Sequence, residues 1–317
     1  MRTARPDTRG AIRIGISGWR YEPWRGAFYP RGLAQSRELA YASRQLATIE
    51  INGSFYSLQT PAAYRRWYLD TPEGFVFSVK GGRYITHMKQ LRDVEGALGN
   101  FFASGVAELR EKLGPFLWQL PPRMAFDAER IEAFLALLPQ DTDAASALAR
   151  RHDGKLKARA RIAFGEARPL RHALEVRHPS FVAPALVALL RRYGVALVIA
   201  DTAGKWPEFE DVTADFVYLR LHGAVTLYRS RYSEEELAGF AARIERWSRG
   251  SEPADARRMS SRAAPRARRR DVFCYFDNTD KIEAPGNARR LAHLLGAGVD
   301  GDALPPRAAT RGVTASR

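Results

Sequence analysis

The sequence predicts an α/β fold, a (β/α)8 barrel of the TIM type with an irregular link between strands six and seven. Three observations predict it. Eight short runs rich in β-branched and aromatic residues recur, most of them separated by helical patterns, as in a parallel sheet. Setting aside two polar ends and one Arg-rich stretch leaves 267 residues, near the ~250 typical of such barrels. The C-terminal ends of nearly all the runs are polar, which is where barrels carry their chemistry. A doubly wound open sheet is the competitor, and the strand count of eight favours the barrel.

The runs are 12–17 (IRIGIS), 48–52 (TIEIN), 75–80 (FVFSVK), 115–120 (PFLWQL), 173–177 (ALEVR), 195–201 (VALVIAD), 216–222 (FVYLRLH) and 272–277 (VFCYFD). Helical patterns fill most gaps. One covers 36–46 behind a cap-like Ser36, and one covers 62–69 behind Pro61, a good first-turn residue. A third covers 98–113 and stops at Gly114. Others cover 128–138 behind Asp127, and 180–193 between Ser180 and Gly194. The last two cover 233–247, opened by Ser233 and a Glu run, and 285–295 before Gly296. The stretch 202–215 has no helical pattern, and 140–170 reads as a loop with an extra helix. The chain is therefore one barrel domain over 11–300, with disordered ends at 1–10 and 301–317.

Composition is that of an ordinary globular protein, 45% hydrophobic and 27% charged over 317 residues. Cys274 is the one cysteine, which excludes a disulfide framework and a Cys-based zinc cluster. No apolar run is long enough to span a membrane. The first ten residues hold arginines but no apolar core of a secretory signal, so a cytoplasmic location is expected. The net charge of +15 is unevenly spread. From Ser248 to Arg270 eight arginines face only Glu252 and Asp255, and each end of the chain adds +2, leaving +5 for the rest. Ser248 to Arg270 is too poor in apolar residues to bury a core and is expected to be a disordered insert. Nucleic acid is the partner it would suit.

Period-two geometry puts Glu50 with Asn52, Glu175 with Arg177, and Tyr218, Arg220 and His222 together on inward faces. Ile51, Val176, Leu219 and Leu221 between them suit packing under helices. With Lys80, His87, Gln119, Asp201, Asp277 and Asn278 they crowd the barrel mouth with polar groups, which are costly to bury unpaired. Lys80, His87, Arg177 and Arg220 suit an anion. Glu50, Glu175, Asp201 and His222 suit proton transfer, with either glutamate as base and His222 as acid. Asn52, Gln119, Asp277 and Asn278 add polar contacts, and Trp19, Trp24, Phe55 and Tyr56 could wall a ring. A structural network of ion pairs is the plainer explanation for any single pair. A divalent metal on Glu50, Glu175, Asp201 and His222 is disfavoured by the adjacent cations, and no cofactor is expected. The sequence 296–301 fits GxGxxG, but it follows a helix rather than a strand. His152, His172 and His293 have no evident partners. The expected function is an enzyme acting on an anionic small molecule, such as a phosphorylated sugar or nucleotide fragment. A nucleic-acid-binding or nucleic-acid-processing protein, or a non-catalytic ligand-binding barrel, are the alternatives.

Several motifs together resemble the YecE-like family, domain of unknown function 72. They are Ile14-Gly15-Ile16-Ser17-Gly18-Trp19, Phe28-Tyr29-Pro30, Glu50-Ile51-Asn52 with Phe55-Tyr56, Phe77-Ser78-Val79-Lys80 and Thr86-His87. Further along stand Gln119-Leu120-Pro121-Pro122, Glu175-Val176-Arg177-His178, Tyr218-Leu219-Arg220-Leu221-His222-Gly223, Tyr275-Phe276 and Asn287-Ala288. The resemblance implies a TIM-barrel-like fold and no established reaction, with a distant likeness to barrels that process sugar phosphates or abasic DNA. The family pattern has two asparagines after the strand-eight Phe; here Asp277 precedes Asn278, adding an acid to the mouth. The Arg-rich stretch resembles an insertion into the pattern.

Overall fold

The computed structural model describes residues 9–223, 231–265, 267–277 and 282–299, apart from the side chains at 157 and 158. Eight parallel strands close a barrel in chain order: β1 (Ile12–Ser17), β2 (Thr48–Ile51), β3 (Val76–Lys80), β4 (Leu113–Gln119), β5 (His172–Glu175), β6 (Ala196–Asp201), β7 (Phe216–Leu221) and β8 (Asp271–Phe276). β8 returns to β1 through Ile14↔Cys274 and Gly15↔Tyr275. Every strand lies within two residues of its expected bounds. Alternation explains why. Ile14, Ile16, Ile49, Ile51, Leu219 and Leu221 belong to the large core under the helices. Leu117, Ala173, Val198, Tyr218, Phe273 and Tyr275 fill a second, smaller core inside the barrel.

The helices are α1 (Glu38–Ala42), α2 (Gly53–Tyr56), α3 (Pro61–Asp70), α4 (Glu95–Ala103), α5 (Ala128–Leu137), α6 (Thr142–Ala149), α7 (Pro184–Arg192), α8 (Glu234–Ser248) and α9 (Glu283–Leu294). The Asp127 side chain caps α5 by accepting from the Arg130 amide, and Ser233 with Glu236 forms a capping box on α8. Between β6 and β7 there is no helix, as the sequence suggests. No helix among the described residues is long and apolar enough to cross a membrane.

Several local expectations differ from the structure. The helix expected over 98–113 stops at Ala103, and a 3-10 segment (Val106–Lys112) follows. The break is at Gly105, whose φ of 113° and closeness to Pro61 demand glycine: a Cβ there would lie 2.5 Å from the Pro61 Cα. Gly114 is not a helix cap but a residue of β4. Ser180 does not open a long helix. It sits in a 3-10 turn (Pro179–Phe181), its Oγ accepts from the Phe126 amide, and α7 starts at Pro184. The helix expected over 36–46 is a 3-10 turn (Gln35–Arg37) followed by the short α1. His172 has partners after all: it is buried, stacks on Phe116, takes the Trp118 indole N–H at 3.2 Å and pairs with the Pro139 carbonyl at 2.7 Å.

Within the Arg-rich stretch 248–270, expected to be disordered, residues 257–260 bond to the 202–215 link. Glu210 accepts from the Arg257 amide at 2.9 Å, and Asp211 accepts from the amides of Met259 and Ser260 at 2.7 and 3.1 Å. Glu252 accepts from the Ala264 amide at 2.9 Å. Charge-assisted bonds donated by backbone N–H groups to carboxylates substitute for the apolar burial that the composition lacks. The stretch leads from α8 into the start of β8, at the end of the barrel away from the polar mouth.

Candidate functional site

The floor of the mouth is built around Arg220, near the end of β7. Its guanidinium is completely buried, and all five of its donors are engaged. Nε and Nη2 bind the two oxygens of Glu50 at 3.1 and 2.9 Å. Nη1 reaches Glu175 Oε2 at 2.6 Å and Gln119 Oε1 at 3.4 Å, and Nη2 reaches Asp277 Oδ2 at 2.8 Å. β2, β4, β5, β7 and the residue after β8 supply these groups, so the cluster exists only once the barrel is closed. Glu50 is further held by Ser17 Oγ and Tyr218 Oη, each at 2.7 Å, and Asn52 Nδ2 donates to the same Ser17 Oγ at 2.7 Å. Glu175 Oε1 takes the Arg177 Nε at 2.7 Å.

Above this floor lies a cavity of about 670 Å³. Asn52, Phe55, Tyr56, Lys80, Gln119 and Arg177 line it from the strand side. Arg83, His87, Met88, Pro121, Pro122 and Arg123 come from the loops after β3 and β4, and Asp277 completes it. Lys80 Nζ donates to Gln119 Oε1 at 2.8 Å and lies 4.5 Å from the Phe55 ring centroid. Arg177 stacks on the Trp206 ring at 3.9 Å. The exposed Arg123 reaches the His87 carbonyl at 3.5 Å. Among the described residues no carboxylate pairs with Lys80, Arg83 or Arg123, and Asp277 is the one acid in the lining.

The surroundings shift the titration of these groups. Burial raises Glu175, but the Arg177 and Arg220 guanidiniums outweigh it and hold its carboxyl well below the usual range. Burial, helped by Arg220, pulls the Lys80 ammonium down to about 8 against the pull of Glu50, Asp277 and Glu175. Burial and then Lys80 lower His87 to about 4, so its imidazole is neutral at pH 7. His222 is also lowered, by burial and by Arg220, despite its contact with Asp277 at 3.4 Å. Burial raises Asp201, although Tyr232 Oη donates to it at 2.8 Å.

A family model described as "Protein of unknown function DUF72" matches residues 13–310. The chain belongs to this family. Among solved structures, a DUF72 family protein from Thermotoga maritima MSB8 superposes with a TM-score of 0.66 at 23% identity, covering 90% of this chain and 99% of that one. A DUF72 family protein from Enterococcus faecalis V583 gives a TM-score of 0.62 at 20% identity, covering 94% and 99%. These two likenesses concern the fold. The UPF0759 protein YunF of Bacillus subtilis (strain 168) is 32% identical over 75 residues, so the match spans 24% of this chain and about a quarter, 26%, of that relative.

In this DUF72 chain the expected site residues separate into three groups. Asn52, Tyr56, Lys80, His87, Gln119, Arg177 and Asp277 line the cavity. Glu50, Glu175, Arg220 and His222 lie beneath it, at most 1% exposed and absent from the lining. This corrects the expectation that Arg220 grips an anion, because its donors are already taken by Glu50, Glu175, Gln119 and Asp277. It also removes Glu50 and Glu175 from reach as bases. Asp201 is turned to Tyr232 and the Ala203 amide. Trp19 packs edge-on against Trp67, and Trp24 is buried among Tyr21, Phe28 and Tyr29, so neither walls the cavity. Asn278 lies outside the described residues. Among those residues no three His, Cys, Asp or Glu side chains converge as a metal site, and Arg220 occupies the space between Glu50 and Glu175. Phe55, Arg83, Met88, Pro121, Pro122 and Arg123 make up the rest of the lining. The two arginines were legible only as members of loops following strand ends.

Proposed function

We propose that this DUF72 barrel is an enzyme that binds a small anionic substrate, such as a phosphorylated sugar or nucleotide fragment, in the cavity over its mouth. One observation carries the reading: the lining holds Lys80, Arg83, Arg123 and Arg177 against the single acid Asp277. The floor below sets Glu50 and Glu175 against Arg220, and Glu175 also pairs with Arg177, so a net charge of +2 is left over the mouth. Arginines suit bidentate contact with phosphate or carboxylate, and the Phe55 and Tyr56 rings give a sugar or base a face to lie on. Acid/base roles fall to groups the substrate can reach. His87 is neutral at pH 7 and can accept a proton, while Asp277 lies where the floor meets the cavity. Glu50, Glu175 and Arg220 act by positioning Gln119, Arg177 and Asp277.

The test is thermal denaturation with ribose 5-phosphate and with ribose. A ligand at a hundred times its Kd adds about 2.7 kcal/mol of stability, a rise of roughly 5–10 °C for a domain of this size. The phosphorylated sugar raises the Tm and ribose does not. Failure of ribose 5-phosphate, glyceraldehyde 3-phosphate, inorganic phosphate and simple carboxylates alike to raise it overturns the reading.

A further inference from the structure

Among the described residues two lysines are buried, Lys80 and Lys112, and they are held differently. Lys112 Nζ donates to the Tyr68 and Thr71 carbonyls at 2.7 Å each and to Thr71 Oγ1 at 3.1 Å. Its three donors are used, away from the cavity, and it is a structural strut. Lys80 is held by one neutral acceptor among the described residues, the Gln119 amide oxygen. That oxygen also faces Arg220 Nη1 at 3.4 Å. Lys80 is 8% exposed, and what is exposed faces the cavity.

The backbone fixes this placement. Lys80 ends β3 on the inward face, in register with Leu117 of β4. Ser54 Oγ donates to the Lys80 carbonyl at 2.6 Å. The next residue must be glycine, since a Cβ on Gly81 would lie 2.2 Å from the Trp118 ring. A lysine with a fixed root, a buried amine and the Arg220 guanidinium for a neighbour is poorly placed to be only a counter-ion. Burial and Arg220 favour the neutral amine, the state in which lysine is a nucleophile, and they outweigh the Phe55 face, which favours the ammonium.

We infer that Lys80 is a nucleophile that forms an imine with the carbonyl carbon of a phosphorylated aldehyde or ketone held in the cavity. This rests on the anion-binding reading above and names the substrate class more narrowly. The Nζ lone pair attacks the carbonyl carbon, an N–C bond forms, and the C=O π pair moves to oxygen. A proton passes from nitrogen to that oxygen, giving a neutral carbinolamine. The hydroxyl then takes a proton from solvent and leaves as water, and the nitrogen lone pair closes a protonated C=N bond. Nothing is oxidised or reduced. The groups facing the amine are Gln119, Arg220, Glu50, Glu175 and Asp277, with His87 and Arg177 across the cavity. The phosphate would be left to Arg83, Arg123 and Arg177.

The experiment treats the full chain with glyceraldehyde 3-phosphate and cyanoborohydride, then maps lysine adducts by peptide mass spectrometry. Reduction of an imine leaves the aldehyde's mass less one oxygen on the modified lysine. At pH 7.5 Lys80 is expected to label at least roughly tenfold faster than the exposed Lys155 and Lys205, because ordinary lysines titrate near 10.4. Its labelling rate should rise with pH and level off above about 8, and Lys80→Arg should remove that adduct alone. Melting is measured in parallel. Stabilisation by glyceraldehyde 3-phosphate with no preferred adduct at Lys80 overturns the imine and leaves the anion reading standing. No stabilisation by it or by any other anion defeats both. Site-resolved labelling of the unsubstituted protein decides the matter even where Lys80→Arg does not fold.

Discussion

The floor and the rim of the barrel mouth use the same residue types to opposite ends. In the floor, Arg220 is completely buried and every donor of its guanidinium has an acceptor. At the rim, Arg83 and Arg123 are exposed, and among the described residues neither has a carboxylate partner. Both regions lie at or just beyond strand ends, where a barrel fold places function. The difference is geometric. Glu50, Glu175 and Arg220 point inward and converge from three strands, so their charges close on one another. Loop residues beyond β3 and β4 splay around the cavity and have no opposing acids to meet. A polar strand end is therefore not in itself a place for substrate. On the proposed function, the floor would hold the barrel mouth in shape, and the rim, with Lys80 between the two, would meet the anion.

Removing Arg220 should produce the largest effect. Arg220→Met leaves three carboxylates facing a buried site without a guanidinium. Breaking a buried ion pair costs roughly 3–5 kcal/mol, and a domain of this size loses about 2–4 °C per kcal/mol. A Tm fall of about 10 °C or more is expected at pH 7. The loss should shrink toward pH 5, where the stranded carboxyls take up protons more readily. An unchanged Tm at pH 7 would erase the distinction between floor and rim.

Glu175→Gln tests the same floor more gently. The amide keeps its shape and one acceptor but loses charge against Arg177 and Arg220. A loss of about 1.5–3 kcal/mol is expected, the usual worth of hydrogen bonds to charged groups. Its pH dependence has a definite sign. The Glu175 carboxyl is held low in the folded protein, so its contribution is fully present above the unfolded value, about 4.3. That contribution fades as pH falls below it. Urea unfolding midpoints of the unsubstituted protein should drop between roughly pH 4.5 and 3, and the Gln variant should drop less steeply over the same window. Parallel curves would assign the acid sensitivity to other carboxylates.

The parts of this architecture that sequence reveals are those governed by local rules. Strand limits, the inward face shared by Tyr218, Arg220 and His222, and the Asp127 and Ser233 caps all follow from spacing of two, three or four residues. What sequence conceals depends on contacts far apart in the chain. The pairing of Arg220 with Glu50 joins residues 170 positions apart, so nothing in either run tells that the guanidinium is saturated. The end of α4 is set by Pro61 against Gly105. The bonds that tie Arg257, Met259 and Ser260 down come from Glu210 and Asp211, which belong to another loop. The cavity was half legible. Lys80, His87 and Gln119 could be placed at its edge by strand arithmetic. Arg83 and Arg123 could not be told from ordinary surface arginines until the loops carrying them were seen to converge.

The smallest effect on stability should come from the rim. Arg83 and Arg123 are exposed, and among the described residues the one side-chain hydrogen bond that either makes is the long contact of Arg123 with the His87 carbonyl at 3.5 Å. Surface substitutions away from caps and buried networks change stability by no more than about 0.5 kcal/mol, so the double change Arg83→Ala with Arg123→Ala should leave the Tm nearly where it was. Its effect belongs on the ligand. A charge-assisted bond to a phosphate oxygen is about twice as strong as a neutral one, worth about 1.5–3 kcal/mol where the group is partly desolvated, and less at an open rim. Losing both arginines should weaken ribose 5-phosphate by roughly tenfold, about 1.4 kcal/mol, and flatten the dependence of its affinity on salt, since exposed charges are the ones that ions screen. Calorimetric titration at two ionic strengths reads both quantities. A double variant that binds as tightly as the parent would move the anion site inward, onto Lys80 and Arg177 alone. A double variant that loses several kcal/mol of stability would mean that the rim, like the floor, holds the barrel together.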